Sequence, residues 1–158
     1  MVGGTPNRPT ESTTQRHNHI AFIFQMTGLL HKIVILLALL QAGWMAFDGT
    51  RALIVGDYVT PASGEYAGQL GPWARLVSMA GIEPRSTLMK AIFVVYGTLW
   101  LIVISFFAQK QRWAWTAMMI AAVGSLWYLP FGTVSSMIQI ALLVVIWRNN
   151  RAQLPEPN

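Results

Sequence analysis

Chemistry needs side chains that donate, accept or hold charge, and this chain has few where they could cooperate. It has three His, six Asp and Glu together, and no Cys. Without a thiol there is no disulfide framework, thiolate metal site, cysteine nucleophile or dithiol redox pair. His17 and His19 form a His-x-His in a polar stretch. Neutral imidazole binds zinc or haem, but no Cys or acidic cluster stands near to complete a ligand set, so no metal site is expected. His31 and Lys32 sit at the edge of an apolar run, a placement that suits headgroup contact. The sequence has no phosphate loop, dinucleotide glycine motif, Gly-x-Ser-x-Gly elbow or His-Glu-x-x-His helix. No catalytic residue and no cofactor is assigned.

Six candidate binding residues remain. Gln41 and Gln139 fall inside long apolar runs. An unpaired amide in hydrocarbon is costly, so both are expected to face other helices, bonding between them or lining a polar pocket. Asp57, Tyr58, Glu65 and Arg75 lie in a connecting stretch punctuated by Pro61, Gly64, Gly68 and Gly71-Pro72. Such turns present polar and aromatic groups outward.

The elements that must position these residues are membrane helices. Only 11% of the 158 residues are charged, against about 25% in soluble domains. The net charge of +5 does not imply nucleic acid, because the basic residues flank apolar blocks, where membrane topology puts them. Trp113 to Trp147 contains 35 residues without a charge, about 52 Å as one helix and too long for one crossing. Leu129-Pro130-Phe131-Gly132 near its middle predicts a hairpin. The expected fold is an all-α integral membrane protein, a bundle of four transmembrane helices. Its parts are a disordered tail (1–19), an interfacial segment plus first span (20–47) and an outer segment (48–87). The second span (88–108), an inner turn (109–112), the third span (113–129), an outer turn (130–132), the fourth span (133–147) and a second tail (148–158) follow. Residues 20–28 either lengthen the first span or lie on the interface. A cleaved signal is not expected, since no small-residue cleavage site follows Phe47.

Charge orients the bundle. Seven Lys and Arg against two Glu fall on the side of both tails and the 109–112 turn, while the outer side balances four against four. Both termini are therefore expected in the cytoplasm, with the plasma membrane as the compartment. Small residues at four-residue spacing, Ala38, Ala42 and Ala46 (with Gly43 adjacent) and Ala117, Ala121 and Ser125, are the expected close contacts. In the outer segment, Trp73, Leu76, Val77 and Ala80 recur at helical spacing, predicting a short amphipathic helix at 72–82 on the leaflet or capping the bundle. Three functional readings follow. The leading one is a non-catalytic membrane protein, an accessory or interaction subunit whose partners are the lipid bilayer and other membrane proteins. The second is a binder or carrier of a small apolar or lipid-like molecule held by Gln41 and Gln139. The third is an outer-face lipid or quinone enzyme using Asp57, Tyr58, Glu65 and Arg75. No charged group is expected at mid-membrane, which argues against proton relays and ion-coupled carriers.

Overall fold

The computed structural model describes residues 11–151, and the ends at 1–10 and 152–158 lie outside the described residues. Among those described, the chain is all-α: α1 (Glu11–Val55), α2 (Trp73–Met79), α3 (Thr87–Ala108), α4 (Arg112–Gly124) and α5 (Phe131–Arg151). Three stretches are long and apolar enough to cross a membrane: Ala21–Val55 within α1, α3, and α5. The chain is thus an integral membrane protein by the length and composition of its helices.

Where a fourth helix of that length was expected, α4 falls short. It has 13 residues, about 20 Å of helix, which is short of a crossing by itself. Packing explains the early stop. The Tyr96 hydroxyl donates to Ala121 O, the carbonyl that Ser125 N would take to continue the helix, and Ser125 N turns to Ala122 O instead (3.3 Å). Just beyond, the Ser125 hydroxyl donates back to Ala122 O (3.0 Å) and lies 2.6 Å from Ser136 Oγ. Thr133 Oγ1 donates to Leu126 O (2.7 Å), holding residues 125–130 as turns. The outer turn therefore begins earlier than 130, and α5 starts at Phe131 and runs past 147 to Arg151.

α1 is longer than expected at both ends. Residues 20–28 continue it as helix, and it begins at Glu11, inside the stretch expected to be disordered. It passes Phe47 because nothing breaks it until Gly56, whose φ of 101° only glycine adopts easily. Gly49 lets the extra turns lie against α3, since a methyl there would meet Phe93 Cβ at 2.7 Å and Val94 N at 2.9 Å. α3 starts where Ser86 caps it, its hydroxyl accepting from Met89 N at 3.2 Å.

α1 packs on α3 and α5, and α4 closes the ring against the same two helices. Of the small-residue stripes, Ala38 and Ala42 are fully buried. At Gly97 of α3 a methyl would come within 2.7 Å of Ala42 O and 2.6 Å of Ala46 N, so the two backbones nearly touch. The α4 stripe is shifted instead: α4 buries Ala114, Met118 and Ala122, leaving Ala117 and Ala121 half-buried. α2 is shorter than 72–82 and ends in a Gly81 turn (φ 81°) with Ile82 N bonded to Val77 O at 3.1 Å. It caps the bundle through Trp73 and Val77, while Leu76 and Ala80, expected on the same buried stripe, are exposed.

Candidate functional site

Two polar assemblies stand out against the apolar helices. The first is internal. Gln41 on α1 donates through Nε2 to Gly132 O (3.3 Å) and Ser136 Oγ (3.2 Å), and its Oε1 accepts from Gln139 Nε2 (3.1 Å). Gln139 also donates to Ser135 Oγ (3.1 Å), and Ser136 continues to Ser125 at the end of α4. Gln41, Ser125, Ser136 and Gln139 are all fully buried. The two Gln expected to face other helices do so and bond to each other. Gly132 makes this possible: a side chain there would strike Tyr128 Cβ at 2.7 Å and Gln41 Nε2 at 3.1 Å. Two buried atoms in the bundle, Gln139 Oε1 and Trp100 Nε1, have no partner. Among the described residues, neither Gln lines any of the five main cavities.

The second assembly orders the outer segment. Asp57 Oδ1 accepts from Tyr58 N and from Arg85 Nε, both at 2.9 Å. Arg85 also donates to Gly68 O (2.8 Å), and Arg51 to Asp57 O (2.8 Å). The Arg85 guanidinium holds the Asp57 carboxyl below the usual carboxylate range. Tyr58 is buried with its ring 5.4 Å from Trp73 and 5.1 Å from Phe93, centroid to centroid. The other two outer candidates do not join this group. Glu65 and Arg75 are exposed; Arg75 lines a separate cavity with Glu83 and Arg85 that excludes Glu65. Asp57, Glu65 and Arg75 therefore do not converge.

Three participants were missed in the sequence: Asp48, Trp44 and Tyr128. Asp48 is 4% exposed, and its Oδ1 accepts from Val59 N at 2.7 Å, fastening the outer segment back onto α1. Trp44 Nε1 donates to the Tyr128 hydroxyl (3.1 Å). Trp44 and Asp48 are four residues apart, one helical face, which was the available signal. With Tyr58, Trp73 and Phe131 these residues line a cleft of about 170 Å³. The Tyr58 hydroxyl is buried without a partner, and burial, then the Asp48 and Asp57 carboxylates, push its phenol up, so it stays a donor. A carboxylate walled by aromatic faces suits a small cationic or hydroxylic group. Among the described residues no three metal-ligating side chains assemble.

Comparison with known protein families, curated proteins and solved structures finds no match for the chain.

Proposed function

We propose that the chain is a non-catalytic, four-span membrane protein that serves as an accessory or interaction subunit of a larger membrane assembly. The observation that carries this reading is how the interior polar groups are used. Gln41, Gln139, Ser125 and Ser136 bond across helices, with Ser135 holding Gln139 from within α5, which is how polar residues hold membrane helices together. Large apolar residues such as Leu36, Leu40, Leu99, Ile120 and Met137 point outward, available to lipid or to neighbouring helices.

The fourth crossing in this reading is α4 together with its 125–130 turn. Trp115 near its start donates to Leu143 O, while Ser125 and Tyr128 at its far end reach Ser136 and the aromatic cluster around Trp73. The stretch thus runs alongside α5 from Leu143 to Ser136, which supports this reading. Both termini lie in the cytoplasm, and the plasma membrane is the compartment. A Cys at Ser63 then labels with an impermeant thiol reagent in intact cells and one at Gln111 does not; labelling at Gln111 overturns the four-span arrangement.

The subunit reading is tested by extracting the protein with its surrounding lipid from native membranes and weighing the particles intact. A defined stoichiometric protein partner is expected. Monomers accompanied only by lipid, or by one stoichiometric small molecule, refute it. The second outcome would favour a small-molecule binder, a reading supported by the unpartnered Tyr58 hydroxyl beside Asp48 in the outer cleft.

A further inference from the structure

At the end of the bundle away from the outer segment, the helices border a half-open cavity of about 600 Å³. Phe24 of α1, Trp115 of α4 and Trp147 of α5 form apolar walls, with His31 among them and Lys110 and Arg112 from the α3–α4 turn at its edge. None of its described lining residues is acidic. The large cavity at the opposite end differs on this point, since Glu83 stands there with Arg75 and Arg85. Among the described residues, neither Lys110 nor Arg112 forms an ion pair.

The positions of these groups are fixed by the fold. Lys110 takes φ 59° to close the turn, and Lys110 N and Gln111 N bond to Phe107 O (2.9 Å) and Phe106 O (3.1 Å). His31 stacks on Phe107 at 4.1 Å with Nε2 3.1 Å from Phe107 O. Trp115 and Trp147 stack at 6.4 Å, and the Arg151 guanidinium lies 4.3 Å over Trp147, bringing further positive charge. Gln111 makes no side-chain cap bond to α4, so the positive end of that helix adds to the same field.

Cations grouped at the edge of apolar walls, at what the proposed topology makes the membrane surface, match a molecule with an anionic head and a hydrocarbon tail. Free phosphate has the charge but nothing to place against Trp115, Trp147 and Phe24. We infer that this cavity binds an anionic phospholipid, with Lys110, Arg112 and His31 around its phosphate and the Trp walls along an acyl chain.

The test uses the full chain, delipidated in detergent and titrated with short-chain phosphatidylglycerol or phosphatidylcholine, with bound lipid counted by native mass spectrometry. Phosphatidylglycerol should bind at least about tenfold tighter. Lys110→Asn with Arg112→Gln keeps the left-handed turn available to Asn and should weaken phosphatidylglycerol roughly 30-fold, with phosphatidylcholine unchanged. Arg112→Gln alone should weaken it roughly fivefold, which preserves the test if the double variant unfolds. Arg75→Gln, at the other end, should have no effect. Equal affinity for the two lipids, or a preference that survives the charge removal, overturns the inference. Inorganic phosphate binding as tightly as the lipid overturns it as well, making the free anion the ligand.

Discussion

The closest approach in the bundle, at Gly97, sets up a contrast with one clear sign. In Gly97→Ala the new methyl lands 2.6 Å from Ala46 N, 2.7 Å from Ala42 O and 3.0 Å from Ala46 Cα. Ordinary carbon contacts are at about 3.5 Å or more. All three neighbours are backbone atoms, which cannot swing aside as a side chain would. α1 and α3 must therefore separate by about 0.5 to 1 Å, a gap that forfeits a quarter to a half of the dispersion energy of each contact it opens. Overpacking of this kind costs about 1–3 kcal/mol. Ala is the better helix former by about 0.5–1 kcal/mol, so the net loss is about 0–2.5 kcal/mol, and Gly97→Ala should lie about 1–3 kcal/mol below an uncrowded Gly→Ala control. Gly43 supplies the control, because a methyl there meets no atom within 4 Å. Gly43→Ala should show the propensity term alone, a stability unchanged or raised by up to about 1 kcal/mol. Equilibrium unfolding in mixed detergent micelles measures both. If Gly97→Ala is as stable as Gly43→Ala, the helices do not meet as described and the reasoning fails.

Gln41→Leu removes three interhelical hydrogen bonds, about 2 kcal/mol at about 0.6 kcal/mol each; a micelle unfolding curve matching the parent would refute a structural role for the pair. Tyr58→Phe deletes a buried hydroxyl with no partner, so thermal stability in detergent should hold or rise slightly. A clear fall would mean the hydroxyl is satisfied by something bound in the cleft. Asp57 has a folded pKa below its ordinary 3.8, so its contribution is complete above the unfolded value and is lost as pH falls through the lower folded one. Arg85→Met should return the Asp57 titration, read by side-chain NMR, toward that ordinary value; an unchanged titration would remove Arg85 as the cause.

What was legible in the sequence followed from the periodicity and expense of polar groups in lipid. The α3 boundaries came within one residue of the predicted 88–108 because Ser86 and the charged 109–112 turn mark both ends. That Gln41 and Gln139 face other helices followed from the cost of an unbonded amide; that they bond to each other did not. The rest depends on which surfaces meet. Gly43 looked like the contact glycine beside the Ala stripe, yet it meets nothing within 4 Å, whereas Gly49 and Gly97 carry the α1–α3 seam. Glycine at a contact and glycine in open space read alike until the partner helix is placed. Asp48 was similarly hidden: in the sequence it ends an apolar run, and only the return of Val59 against it reveals an anchor. The premature end of α4 depends in part on Tyr96, a residue of another helix, a contribution with no local sign.

The span of α1 carries a surplus of hydrophobic length. Its apolar stretch, Ala21–Val55, has 35 residues, about 52 Å along the axis against a hydrocarbon layer of about 30 Å. Fitting all of it inside by tilt alone would require about 55°, beyond the range of about 0–40° that membrane helices adopt. Some of it must therefore emerge from the hydrocarbon. At the outer end the packing of Tyr58 and Trp73 and the Asp48 anchor shelter part of the excess. Among the described residues, nothing comparable covers Phe22, Phe24, Met26 and Leu29 at the opposite end, which are more than 40% exposed. Bilayer thickness thus becomes a variable that acts on this chain directly. A thicker membrane immerses those four side chains, and a thinner one pushes them into the headgroup layer, so the protein should distribute toward the thicker regions of a heterogeneous membrane.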